Sequence, residues 1–180
     1  IKPMTYFNKS LFFLSIFICL SSCNKKNSNS SESSLFENLE LNRGDLLLCG
    51  DPNFGEVNFS LSCRYDLRET FNLGLTLIHS FEYAEAEKVF VSVLDKDPEC
   101  LMAYWGTAMS ILNHPLSFKQ NPKSLKRGGE LLEIAKKLTP NNKREKDYID
   151  AVSIYFEDWQ NLDTQTRKLN YERKMEELYN

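Results

Sequence analysis

Two histidines and five cysteines are the side chains of this sequence best suited to ligate a metal or haem, or to act as nucleophiles. His79 and His114 stand without a nearby set of carboxylates that would complete a metal site. Their plainer roles are a helix end for His79 and a His-Pro turn for His114. The cysteines show no C-x-x-C spacing, so a zinc centre is not expected. The sequence has no G-x-S-x-G, no phosphate-cradling glycine loop and no H-E-x-x-H. Paired acids such as Glu176 and Glu177 fall where a solvated helix surface is expected. Catalysis, a resident cofactor and a metal are therefore not expected.

The remaining chemistry belongs to the cysteines, and their surroundings divide them. From Met4 the chain reads MTYFNKSLFFLSIFICLSSC: a polar start with Lys9, an apolar run from Leu11 to Leu20, then Ser21-Ser22-Cys23. An apolar run of about ten residues after a charged start makes a secretory signal, and it is short of the ~20 residues that span a bilayer. Leu20-Ser21-Ser22-Cys23 resembles the lipobox of bacterial lipoproteins, which implies lipid attachment at Cys23. Asn24 follows, where an aspartate would signal inner-membrane retention, so the expected location is the outer membrane, facing the periplasm. An ordinary cleaved signal with an incidental cysteine is the alternative.

The stretch NKKNSNSSESS, Asn24 to Ser34, has nothing apolar to bury and reads as a flexible tether. The expected organisation is a signal over 1–22, lipidated cysteine and tether over 23–44, an extended segment over 45–62, and helical repeats over 63–180. The chain carries 22 basic and 25 acidic residues, and without Lys2 and Lys9 its formal net charge is −5. That balance argues against a nucleic-acid partner. Basic residues outnumber acids between Lys119 and Lys146, where solvated helix faces are the simplest explanation.

From Arg64 to Asp95 the apolar residues recur at helical spacing. Leu67, Phe71, Leu73, Leu75, Leu77 and Ile78 mark one helix, and Val89, Phe90, Val93 and Leu94 mark a second. A joint near Ser80-Phe81-Glu82 makes them an antiparallel hairpin, and Asp97-Pro98 closes it. The fold class expected is all-α, a tandem of such hairpins.

This hairpin resembles the tetratricopeptide repeat, a helix–turn–helix unit of about 34 residues. Leu73-Gly74, Leu77, Ala86, Phe90 and Pro98 take its Leu-Gly, Tyr, Ala, Phe and Pro places, while Thr70 departs from its tryptophan. Small Gly74 and Ala86 would let helices approach, with Phe90 filling the space beside them. Ala108 lies 34 residues after Gly74 and opens a second unit that continues with Gly128, Leu132, Ala135 and Pro140. The insert NHPLSFKQNPK between its helices reads as a loop. A weaker third unit uses Ala151, Ile154, Tyr171, Met175 and Leu178. The runs LIHSFEYAEAEKVF, DPECLMAYWGTAMS, NHPL and REKDYIDA further resemble a group of bacterial tetratricopeptide proteins of undefined biochemical role. Ser117 stands where that group has a second tryptophan.

The resemblance implies a concave groove lined by first-helix residues: Phe71, Leu75 and Ile78, then Met102, Trp105 and Met109, then Glu145, Tyr148 and Tyr155. Ala103, Gly106 and Ala108 would sit in tight helix contacts. An apolar groove of this kind can accept a protein or peptide partner, or it can be filled by the chain itself, for instance by Leu46 to Phe59. A small ligand or haem held with His79 or His114 is the competing use. Cys63 and Cys100 would each open a first helix in neighbouring repeats, close enough for a disulfide; buried free thiols are the alternative. The expected function is a lipid-anchored scaffold for protein interactions in the bacterial cell envelope.

Overall fold

Helical periodicity becomes six α-helices: α1 (Arg68–His79), α2 (Tyr83–Leu94), α3 (Leu101–Leu112), α4 (Pro122–Ala135), α5 (Lys143–Phe156) and α6 (Thr164–Tyr179). The structure, a computed structural model, describes residues 36–48, 55–112 and 121–180. Among the described residues there is no strand, and no helix long and apolar enough to cross a membrane. Cys23, Cys49 and His114 lie outside the described residues.

Local chemistry fixes the helix ends. After α1 the chain turns at Phe81, whose φ of 65° is left-handed. Phe81 N–H donates to the Ile78 carbonyl and Glu82 N–H to that of Leu77, the paired bonds of a Schellman stop. A phenylalanine holds the place where glycine is usual, because these bonds satisfy carbonyls that α1 would otherwise leave open. Pro122, expected within the insert loop, is instead the first residue of α4, capped by the Asn121 side chain on Lys123 N–H. Proline suits that position, since its missing N–H would have had no helical partner.

Asn142 caps α5 by accepting the Glu145 N–H at 2.9 Å. Asn142→Ala is expected to cost about 1 kcal/mol, measurable as a lower midpoint in urea with the slope unchanged. Asn142→Asp, which keeps the acceptor, should recover most of it.

The helices pack in sequence, α1 on α2, α2 on α3, α3 on α4, α4 on α5 and α5 on α6, and α3 also touches both α1 and α5. Small residues set the closest approaches. Phe90 of α2 is fully buried between glycines of two helices. A Cβ on Gly74 of α1 would lie 2.6 Å from its ring, and one on Gly106 of α3 would lie 2.5 Å away. Gly128 of α4 does the same for Phe156 of α5, where a Cβ would come within 2.1 Å. Phe71 meets Phe90 edge-on with ring centroids 5.2 Å apart.

Residues 36–44, expected to belong to the tether, are part of the core. Phe36, Leu39 and Leu41 are buried, and the Phe36 ring lies 5.9 Å from that of Tyr104. The Tyr104 hydroxyl donates to the Pro98 carbonyl at 2.8 Å; burial first, and the neighbouring Asp97 charge second, push its pKa well above the usual tyrosine range.

The segment then follows the side formed by α2 and α4. Asn42 donates its backbone N–H and side-chain amide to Glu87, Arg43 pairs with Asp95, and Leu47 N–H donates to Glu85. Arg127 of α4 closes the arrangement by pairing with Glu87 and donating to the Glu40 carbonyl.

Candidate docking face

Phe71 of α1, Trp105 of α3 and Tyr148 of α5 come together along one face. Trp105 and Tyr148 meet edge-on at 5.6 Å. This face carries an extended stretch of the chain itself. From Val57 to Cys63 burial alternates: Val57, Phe59, Leu61 and Cys63 are wholly or partly covered, while Asn58, Ser60 and Ser62 are exposed. That is the period of an extended backbone. The Phe59 ring sits 5.9 Å from Phe71 and 6.1 Å from Tyr148, with the Arg144 guanidinium 4.5 Å from its centroid.

The strap's backbone is held by side chains of two helices. Phe59 N–H donates to Asn72 Oδ1 at 3.2 Å, and Arg144 donates to the Ser60 carbonyl at 3.0 Å. Ser62 gives both its N–H, at 2.7 Å, and its hydroxyl, at 2.5 Å, to the Glu145 carboxylate. Glu145 is only 2% exposed, and a buried carboxylate needs such donors to offset its lost hydration. At the third position of a capped helix, a glutamate commonly turns back to the cap's own N–H. Here it reaches a residue 83 positions away instead.

The strap ends at a disulfide. Cys63 is bonded to Cys100 with Cα atoms 4.9 Å apart, fixing the strap's last inward residue to the entrance of α3. Asp97 lies beside the pair and accepts Arg64 N–H at 3.1 Å. Donor atoms of Cys63, Asp97 and Cys100 fall within 4.8 Å of one another, but the sulfurs are committed to each other.

The residues expected along an open groove divide into two groups. Phe71, Leu75, Met102 and Tyr155 are buried in the core, whereas Ile78, Trp105, Met109 and Tyr148 are partly covered. Tyr155 is taken by α6, whose Arg167 guanidinium stacks on its ring at 4.8 Å and donates to its carbonyl. The occupant of the face is the chain itself, overlapping the expected Leu46 to Phe59 only at Val57–Phe59. Leu47 is pinned on α2, and Val57–Cys63 covers the rings. Sequence reasoning missed Asn72 and Arg144, and it set Glu145 along the groove without pairing it with Ser62; the extended segment expected over 45–62 takes in all of the strap but Cys63. His79 is exposed at the end of α1.

These features define a protein that is all-helical among its described residues, with an aromatic face of α1, α3 and α5 covered by an extended stretch of the chain itself. No family model matches the chain, and no curated protein and no solved structure matches it either.

Proposed function

We propose that this protein is a tetratricopeptide-like scaffold, anchored by lipid on Cys23 to the periplasmic side of the bacterial outer membrane, that holds a protein or peptide partner and performs no turnover. The observation that carries the interaction role is the seating of Val57–Cys63 on Phe71 and Tyr148. A face whose rings take alternate side chains, while Asn72, Arg144 and Glu145 take backbone groups, has the chemistry by which extended peptides are recognised. The hairpin order, with α3 against both α1 and α5, supports the repeat architecture. The disulfide supports an oxidising compartment, as export would provide.

Two measurements test this. Metabolic labelling with a palmitate analogue is expected to mark the protein and to fail in Cys23→Ser; a labelled Cys23→Ser protein removes the anchor. A photo-crosslinking residue in place of Met109, partly covered on the same helix as Trp105, is expected to yield a discrete partner adduct in cells. That adduct should be lost in Trp105→Ala. Cross-links confined to the chain itself would remove the interaction role.

A further inference from the structure

We propose that Val57–Cys63 is a resident occupant of this face, latched by the Cys63–Cys100 disulfide, and that reduction by a dithiol exposes the face to a partner's extended segment with an aromatic, an aliphatic and a serine at the spacing of Phe59, Leu61 and Ser62. The inference rests on the interaction role above and deepens it by naming the ligand pattern and the control.

The ligand pattern follows from the contacts the strap makes. Asn72 and Arg144 meet the strap's main chain, and Glu145 meets a main-chain N–H together with a hydroxyl. The first two contacts accept any sequence in the same extended register, while the third selects serine or threonine. The rings of Phe71 and Tyr148 select the aromatic. Glu145 is buried beneath the strap, so any segment that covers it again must supply the same pair of donors. A second observation points to a ligand beyond the strap. The Trp105 indole N–H is buried with no acceptor among the described residues, beside Tyr148 on the same face. A competing segment that brings a carbonyl there satisfies a donor the strap leaves unmet.

The control follows from where the covalent bond falls. Leu61 is the strap's one wholly buried side chain upstream of the cysteine, while Val57 and Phe59 are only partly covered. Those contacts must offset the ordering of the whole stretch, and the bond at Cys63 sets their register. Cys63 is the less covered half of the bond, half-buried where Cys100 is buried, so the strap's end is the side from which a reductant approaches. A thiolate of the dithiol attacks one sulfur to form a mixed disulfide, and its second thiol displaces the protein sulfur. Two electrons and two protons pass to Cys63 and Cys100, and the reductant leaves as its own disulfide.

The test uses the full chain and a fluorescent peptide copying Glu56–Ser62, followed by anisotropy. The dithiothreitol-reduced protein and Cys63→Ser/Cys100→Ser are expected to bind the peptide about tenfold or more tightly than the oxidised protein. Phe59→Ala keeps the bond and every helix residue, and should also raise affinity in the oxidised state, so a folding failure of the cysteine variant leaves the idea testable. A peptide with alanine at the Phe59 place should bind none of them. Equal binding in every redox state sinks the latch while leaving the scaffold standing. Binding to none of the forms, with the Met109 adduct still formed in cells, sinks the ligand pattern and again leaves the scaffold.

Discussion

Phe90→Ala is expected to lower the unfolding free energy by about 3–5 kcal/mol, the range for deleting a wholly buried aromatic side chain. The upper part of that range is favoured because the ring's neighbours on two sides are glycines. Gly74 and Gly106 have no side chain to turn into the space, so the cavity persists unless α1 and α3 both move inward. Adding atoms should be costly too. A Cβ at Gly74 or Gly106 would meet the ring at 2.6 or 2.5 Å, and the ring cannot retreat from one glycine without meeting the other helix. Gly74→Ala is therefore expected to destabilise by about 1–3 kcal/mol, against a helix-propensity gain of at most ~1 kcal/mol. Pairing Gly74→Ala with Phe90→Leu should recover part of the loss, since contacting positions couple. Urea unfolding of the four proteins decides it. A cost below about 1 kcal/mol for Phe90→Ala would mean the ring is not the wedge between α1 and α3.

The same residues show why the helical character of the fold was legible in sequence. Gly74, Ala86 and Phe90 combine helical spacing with size complementarity, and both signals are local enough to read from one window. Phe156 against Gly128 was legible only in half: Gly128 takes a small-residue place in the second unit, while nothing marks Phe156, one helix further on in α5, as the ring that fills it. The docking face was legible only in half. Met102 and Leu75 share the helix phase of Trp105 and Ile78, yet they are buried while the latter pair is partly covered; phase names a face but not the depth to which neighbours cover it. Of the strap's partners, Phe71, Tyr148 and Glu145 were legible as groove positions, whereas Asn72 and Arg144 look like ordinary helix-surface polar residues, and nothing in the sequence pairs Glu145 with the strap. Glu145 in particular fits the local pattern of a capping glutamate, and only the fold brings Ser62 to it. The segment from Phe36 to Asn42 was misjudged for a related reason. Its three apolar residues sit close to a Ser/Asn-rich stretch, and the backbone beside them is held by an ion pair contributed by two helices much later in the chain.

That ion pair gives the second large effect. Glu87 is 2% exposed and accepts four hydrogen bonds, two from Asn42 at 3.0 and 2.8 Å and two from Arg127 at 2.6 and 3.1 Å. Arg127→Met should cost about 3–5 kcal/mol, the penalty for stranding one member of a buried pair. The loss is not the worth of the pair itself. Glu87→Leu/Arg127→Met removes both charges and should cost much less than the single change, because no uncompensated charge stays behind. Asn42 then loses its acceptor, and Glu40 loses the donor that reaches its carbonyl, so the effect should be concentrated in one place. Amide exchange is expected to quicken across residues 40–47 in both variants, while α5 and the Phe59 amide, held by Asn72 from α1, keep their protection. Uniform quickening along the chain would instead mean that Glu87 and Arg127 hold the helices together, with residues 36–48 as passengers. A single change costing no more than the double change would show that the buried carboxylate finds other donors once Arg127 is gone.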